Sequence, residues 1–423
     1  MSAPSRGSLL IIFLVVFIDL LGFGIVLPLL ARYGEHFQAS AATLGLLMAS
    51  FSAMQFLFAP IWGRVSDRVG RRPILLMGLA ASALFYAMFG FVTAREPGEL
   101  LLGLTPLTWL FITRIGAGIA GATIPTAQAY IADSTDSKNR GKGMALIGAA
   151  FGLGFTLGPL LAIGFASHEK GAPPSPAAGY LASGLSALAF LAAILKLPES
   201  LKPGTQAGSE HRRWLQMSSL KRSINNPVHR ATLLAIFIST CSFAQLESTL
   251  SLVTDRLGMT ERQNFYVFAY LGFMMLIFQG FIVRRLLPKL GEKTMAVGGG
   301  ILMAAGLAAI GIAAGTATDA ATTISSRDAL LRLFLVAPIS VAGFSALNPA
   351  LQSLLSLNTA ADEQGEVLGV GQSLSSLARI IGPLVGIPML KQVGVQAPYW
   401  LATVLMLVAA GFLATLKARP KEA

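Results

Sequence analysis

Charge and cysteine are both scarce in this sequence. Charged residues make up 12% of the chain, about half of the roughly 25% usual in soluble domains, and 54% of residues are hydrophobic. That balance excludes an ordinary soluble domain and points to a chain embedded in a lipid bilayer. The single cysteine, Cys241, excludes an internal disulfide and a cysteine-based zinc centre. Four scattered histidines (His36, His168, His211 and His229) lack metal-ligand spacing, so no metal site is expected. No Gly-x-x-x-x-Gly-Lys-Ser/Thr loop occurs, which argues against work driven by nucleotide hydrolysis. Nor does a nucleophile–base pair stand out, so no enzyme and no cofactor are expected.

Long apolar runs are abundant. A spanning helix needs roughly 20 mostly apolar residues, and twelve such runs can be drawn. The first six lie near 9–33, 43–62, 73–93, 107–131, 142–166 and 178–196. The second six lie near 230–254, 263–284, 294–314, 331–357, 367–390 and 397–416. The first run contains Asp19 and lacks a small-x-small cleavage site, so it reads as a retained helix rather than a signal peptide. The polar, basic stretch 197–229 separates an N-terminal six-helix bundle, 1–196, from a C-terminal one, 230–423. Of the 32 Lys and Arg, 22 fall on the side holding both termini, eight on the other, and Arg114 and Arg379 inside helices. Positive charge concentrates on the cytoplasmic side of membrane proteins, so both termini are expected in the cytoplasm. The net charge of +12 has the same origin and implies no nucleic-acid partner.

The two halves repeat at an offset of 224 residues. Pro125 aligns with Pro349, Gln128 with Gln352, Gly141 with Gly365, and Gly158-Pro159 with Gly382-Pro383. Duplicated six-helix halves imply an all-α membrane protein of two pseudo-symmetric bundles.

Four charges stand inside apolar runs: Asp19, Arg114, Glu247 and Arg379. A charged side chain at the bilayer centre costs roughly 2.5–3.5 kcal/mol on insertion scales. Such a group must be neutralised, paired or turned to a water-filled cavity. Asp19 and Glu247 are candidate proton carriers, and Asp19 is the candidate partner of Arg114. Gln55, Gln128, Gln245, Asn348, Gln352 and Gln372, with Arg379, could line a central cavity for a small organic molecule. Helix-to-helix hydrogen bonding is the equal alternative for each.

Between the second and third runs lies GRVSDRVGRRP, Gly63 to Pro73. Its four arginines surround Asp67, and Gly63 and Gly70 permit a tight reversal. This Gly-x-x-x-Asp-Arg-x-Gly-Arg-Arg pattern resembles the signature loop of the major facilitator superfamily. RIGAGIAGATIP from Arg114, GLGFTLGPLLAIG from Gly152, YIADSTD and RIIGPLVG resemble that superfamily's drug:proton antiporter branch, including tetracycline-efflux-like carriers. The resemblance implies a secondary transporter exporting a small organic compound against protons by alternating access; the compact loops point to a bacterial inner membrane, and a monomer is expected. It implies a proton-transfer role for Arg114 beside Asp19 and Glu247. It further implies a cytoplasmic gate of Gly63, Asp67, Arg68, Gly70, Arg71, Asp133 and Arg140, with Asp67 near the start of the eleventh helix. The antiporter-associated motif of the fifth helix falls on Gly154, Gly158 and Pro159. The third and ninth runs hold no acid and the eighth no histidine, groups that tetracycline exporters share. A lipophilic drug, or an organic anion steered by Arg114 and Arg379, therefore stands beside tetracycline as substrate. A proton-coupled importer, an organic-anion uniporter and a non-transporting receptor or scaffold remain open alternatives.

Overall fold

The computed structural model describes residues 6–135, 140–169, 173–201, 225–318, 326–359 and 364–416. Helix α1 spans Arg6–His36, α2 Ala41–Val69, α3 Arg71–Thr93, α4 Pro106–Ala120, α5 Ile124–Asp133, α6 Arg140–Ala162 and α7 Ala177–Lys196. Helix α8 spans Pro227–Arg256, α9 Glu261–Ile277, α10 Arg284–Leu290, α11 Glu292–Thr318, α12 Ser326–Leu357, α13 Gln364–Gln392 and α14 Ala397–Thr415. Among the described residues, 11 helical segments are long and apolar enough to cross a membrane, with α4–α5 and α9–α10 each forming one of them. The shorter apolar helix Ala149–Phe165, in α6, completes the twelve expected from the sequence.

Local chemistry sets the helix starts. Ser40 accepts from the Thr43 amide at the head of α2, and Thr105 accepts from Thr108 before Pro106 opens α4. Thr260 and Gln263 form a reciprocal capping box at α9. Between α2 and α3 the reversal needs one residue. Gly70 adopts φ 106°, a conformation closed to side chains, and carries the chain directly from Val69 to Arg71. Most of the expected Gly63–Pro73 loop is therefore helical. Gly63 lies inside α2 rather than at the reversal, because the α2 backbone ladder runs unbroken past it.

Contacts divide the chain into two units, Met1–Trp214 with Thr260–Gly272, and Leu215–Met259 with Phe273–Ala423. In the first unit α1 packs on α6 and α7, α3 on α7 and α4, and α2 on α4. In the second, α8 packs on α13 and α14, and α11 on α14 and α12. The same scheme governs both: first helix with fifth and sixth, third with sixth and fourth. The expected linker 197–229 lies mostly outside the described residues.

The repeat extends to individual contacts. A Cβ on Gly158 would come within 2.9–3.1 Å of Gly24 and the Leu21 carbonyl of α1. A Cβ on Gly382 would lie 2.8 Å from the Cys241 carbonyl and 2.9 Å from the Gln245 nitrogen of α8. Leu21 and Gln245 are themselves 224 residues apart. Small residues let two backbones touch, and that packing replaces the hydrophobic drive that lipid cannot supply. The reversal repeats as well: Gly291, φ 79°, links α10 to α11 as Gly70 links α2 to α3.

The first unit also holds the start of α9. The Glu261 carboxylate, 5% exposed, accepts the backbone N–H groups of Ser167 at 3.0 Å and Ser175 at 3.3 Å. Tyr33 donates to the Ser175 carbonyl, and Asn264 Nδ2 donates to the Pro28 carbonyl of α1 at 2.8 Å.

Overpacking a close contact typically costs about 1–3 kcal/mol. Gly158→Val and Gly382→Val are each expected to lower the melting temperature of the purified protein by several degrees. Gly184→Val, on exposed α7 surface with nothing within 4 Å of its Cβ position, should leave it unchanged. Scanning fluorimetry in detergent makes the comparison.

Candidate functional site

Two intramembrane charges of the first unit, the half-buried Asp19 and the buried Arg114, sit where α1, α3 and α4 meet. Asp19 on α1 and Ser82 on α3 face each other at equal depth, and the Ser82 hydroxyl donates to Asp19 Oδ1 at 3.1 Å. One turn further along each helix, Gly22 lies under the Tyr86 ring: a Cβ on Gly22 would be 2.8 Å from Tyr86 Cε2. The spacings Asp19/Gly22 and Ser82/Tyr86 are i, i+3 and i, i+4, which place each pair on a single helix face.

Asp19 also borders a small cavity with Val15, Val16, Leu75, Gly78, Leu79, Thr123 and Ile124, of a size to hold about one water. The cavity lies on the side of Asp19 toward the start of α1, and Tyr86 lies on the opposite side.

Arg114 on α4 is 1% exposed. Its Cζ stands 4.5 Å from the centre of the Phe51 ring, which in turn packs on Phe23 at 4.9 Å. The Tyr86 hydroxyl is in polar contact with the guanidinium. The Nε and Nη1 donors of Arg114 have no hydrogen-bond partner. The sequence suggested Asp19 as the acid paired with Arg114. The structure differs: no ion pair within 4 Å joins them; Asp19 takes the Ser82 hydroxyl, while Arg114 meets Tyr86 and the Phe51 face.

Below Arg114 the fourth span breaks. Residues 121–123 leave the α4 helix before α5 begins, so carbonyls near the end of α4 lose their regular helical partners, Ile119 keeping only a long bond from the Ala122 amide at 3.4 Å. Side chains of α2 replace them. Gln55 Nε2 donates to the Gly121 carbonyl at 3.1 Å, and Trp62 Nε1 donates to the Ile119 carbonyl at 2.8 Å. Irregular backbone at membrane depth is tolerated only where it is satisfied in this way. Gln55, expected in a central cavity, is thus spent on the break.

In the second unit Glu247 on α8 is half-buried and within electrostatic range of Arg379 on α13, with no ion pair inside 4 Å. Gln245 is 3% exposed, donates to the Pro398 carbonyl and packs on Gly386. It ties α8 to α14 and is no cavity residue. Asn348 and Gln352 on α12 are half-buried, while Gln128 on α5 and Gln372 on α13 are exposed.

At the terminal side of the first unit the signature segment builds a charge network. Arg71, not Arg68, is its centre. Arg71 Nη1 pairs with Asp67 at 2.5 Å, Nε with Asp133 at 3.1 Å, and Nη1 also donates to Ser66 Oγ at 2.7 Å. Arg68 is exposed and unpaired among the described residues, because one position along a helix turns a side chain about 100° away. Glu199 completes the network. Its carboxylate accepts the Arg71 amide at 2.9 Å and the Arg72 amide at 3.1 Å, an anion at the positive end of α3. A Cβ on Gly70 would lie 2.4 Å from that carboxylate. No motif in the sequence singled out Glu199. The Arg140 side chain and Asp136 lie outside the described residues. Gly154 and Gly158 press on α1, and Pro159 lies inside α6.

The second unit carries a changed version of this corner. Glu292 opens α11 as Arg71 opens α3, and it accepts from Ser353 Oγ at 3.2 Å.

A model of the Major Facilitator Superfamily matches residues 12–383. The chain belongs to this superfamily. Its relatives include the class B tetracycline resistance protein of Escherichia coli, 30% identical, with 90% of this chain and 87% of the relative aligned. Multidrug resistance protein 2 of Bacillus subtilis (strain 168) is 28% identical over 96% of this chain and 94% of its own. Among solved structures, the human organic anion transporter MFSD10 (TETRAN) superposes with a TM-score of 0.66 at 26% identity, covering 97% of this chain and all of its own. A D-xylose–proton symporter shares the fold, with a TM-score of 0.74 at 18% identity. The protein is an integral, multi-pass transporter of this superfamily and not an enzyme.

Arg71→Ala leaves Asp67 and Asp133 without their cation, and hydrogen bonds to charged groups contribute about 1.5–3 kcal/mol. Both acids are partly exposed, so the lower part of that range is expected. Arg71→Ala should lower the melting temperature measurably, whereas Arg68→Ala should leave it unchanged.

Proposed function

We propose that the protein is a proton-coupled antiporter that exports a small organic compound by alternating access. The observation that carries this reading is Asp19, a carboxylate at membrane depth that accepts from one neutral hydroxyl, Ser82, and has a water-sized cavity beside it. A carboxylate so placed can hold or release a proton at little structural cost, whereas one clamped in an ion pair cannot. Asp19 is the carrier in this scheme, and Glu247 with Arg379 forms a second, electrostatically linked acid and base.

In the proposed cycle Asp19 takes a proton from the outer aqueous side and gives it up on the side of the termini. The substrate leaves in the opposite direction. The charge bias of the loops supports placing the termini in the cytoplasm; in this reading the membrane is a bacterial inner membrane and the protein acts as a monomer. The tetracycline and multidrug resistance proteins among its relatives support a drug-like compound, tetracycline or another small organic molecule, as cargo.

A second reading, uniport of organic anions, has its own support. Two unpartnered donors on the buried Arg114 suit an anionic acceptor, and the solved relative is named an organic anion transporter.

Proteoliposomes with an imposed proton gradient test both readings. A panel of lipophilic cations, tetracyclines and organic anions is offered to the native protein, Asp19→Asn and Glu247→Gln. Under antiport the native protein accumulates at least one compound against its gradient, and Asp19→Asn reduces this at least tenfold while downhill exchange persists. Flux of an organic anion that ignores both pH and Asp19→Asn would replace antiport with uniport.

A further inference from the structure

Tyr86 occupies a position that proton coupling through Asp19 does not by itself explain. It is 2% exposed, its ring and hydroxyl rest on Gly22 one turn beyond Asp19, and the hydroxyl is in polar contact with the Arg114 guanidinium and within electrostatic range of Asp19. We propose that Tyr86 is a positioning residue for proton coupling, its hydroxyl bridging Asp19 and Arg114 so that the charge state of one governs the other. This inference rests on Asp19 being the proton carrier.

A phenol is both a single donor and an acceptor, which is what the position requires. With Asp19 ionised, the Tyr86 hydrogen turns to the carboxylate and its oxygen receives the guanidinium. The acid and base are then balanced through one hydroxyl, without an ion pair that would lock α1 to α4. When Asp19 binds a proton, the negative charge facing Arg114 is gone. Arg114 already has Nε and Nη1 without partners, and apart from Tyr86 it rests against the Phe51 face. A buried cation deprived of its counter-charge is strongly disfavoured, so protonation on α1 is converted into a force on α4. That helix ends a short distance on, at the break covered by Gln55 and Trp62.

Among the described residues, the other elements around Asp19 place no further charged side chain against it. Helix α6 presents Gly154 and Gly158 to α1 and keeps Arg140 and Lys142 in its first turn. On α7, Tyr180 packs on Gly90, and Lys196 is exposed at the far end. The break contributes Thr123. Tyr130 of α5 is turned away, donating to the Pro198 carbonyl. The acid and bases of α2, Arg64, Asp67 and Arg68, lie in its last two turns.

Infrared titration of the purified full-length protein in liposomes reads the carboxyl directly. The band that disappears in Asp19→Asn identifies Asp19, and its midpoint is followed against pH. Tyr86→Phe keeps the ring on Gly22 and removes only the hydroxyl. Loss of a donor to the ionised form raises the midpoint, here by about 0.5–1 pH unit, a roughly three- to tenfold change in proton affinity. In an Arg114→Gln background the same substitution should shift the midpoint by less than half as much, because the bridge has lost its far end. Gly22→Ala, which displaces the ring, provides an independent variant with an upward shift expected.

An unmoved midpoint in Tyr86→Phe, with the melting temperature retained, overturns the proposal. An equal shift in both backgrounds also overturns it, since Tyr86 would then act on Asp19 alone. Absence of any titrating Asp19 band in the native protein is a separate outcome that removes the proton-carrier reading itself.

Discussion

Inside the hydrocarbon there is no water to complete a broken hydrogen bond, and this single constraint shapes most of the features described above. The fourth span can break at 121–123 only because Gln55 and Trp62 reach across from α2 to its carbonyls. Asp19 is tolerable because a serine hydroxyl and a water-sized space stand beside it. Arg114 lies against the face of Phe51 and beside Tyr86, a compensation far weaker than a salt bridge. Groups left partly satisfied in so dry a setting are sensitive to small changes of charge, which is a useful property in a carrier.

The same dryness explains why backbone contact takes over from hydrophobic burial in holding helices together. Gly158 against Leu21 and Gly24, and Gly382 against Cys241 and Gln245, are equivalent contacts in the two repeats. Side chains have since diverged around a retained backbone arrangement. Arg71 reaches two acids in the first unit, while Glu292 at the matching place takes a serine. Asp19 aligns with Phe243, and the second unit's acid is Glu247, one helical turn away. The repeat therefore conserves how helices meet and lets the charges differ.

The number and order of the spans, the duplication and the pivotal role of the signature segment were legible from residue type and spacing. So were the four intramembrane charges. Their partners were not. Asp19 and Arg114 looked like a pair because nothing in a one-dimensional reading assigns Ser82 to one and Tyr86 to the other. Gln245 resembled the other helix-borne amides, yet it faces α14 and is consumed there. Glu199 lies far along the chain from Arg71, and no local pattern announces that its carboxylate caps α3.

What the sequence by itself determined follows from short-range rules: hydropathy over about 20 residues, capping residues at helix starts, glycine where φ is positive, and a repeat visible in its prolines and glycines. These depend on neighbours in the chain. Only the tertiary structure decided that Arg71 rather than Arg68 centres the charge network, that α4 breaks under the cover of α2, and that the carboxylate takes a serine while the guanidinium takes a tyrosine. A step of about 100° per residue means that each side chain's partner depends on how whole helices rotate and pack. That rotation is set by close contacts among glycines on distant helices, which no local stretch of sequence contains.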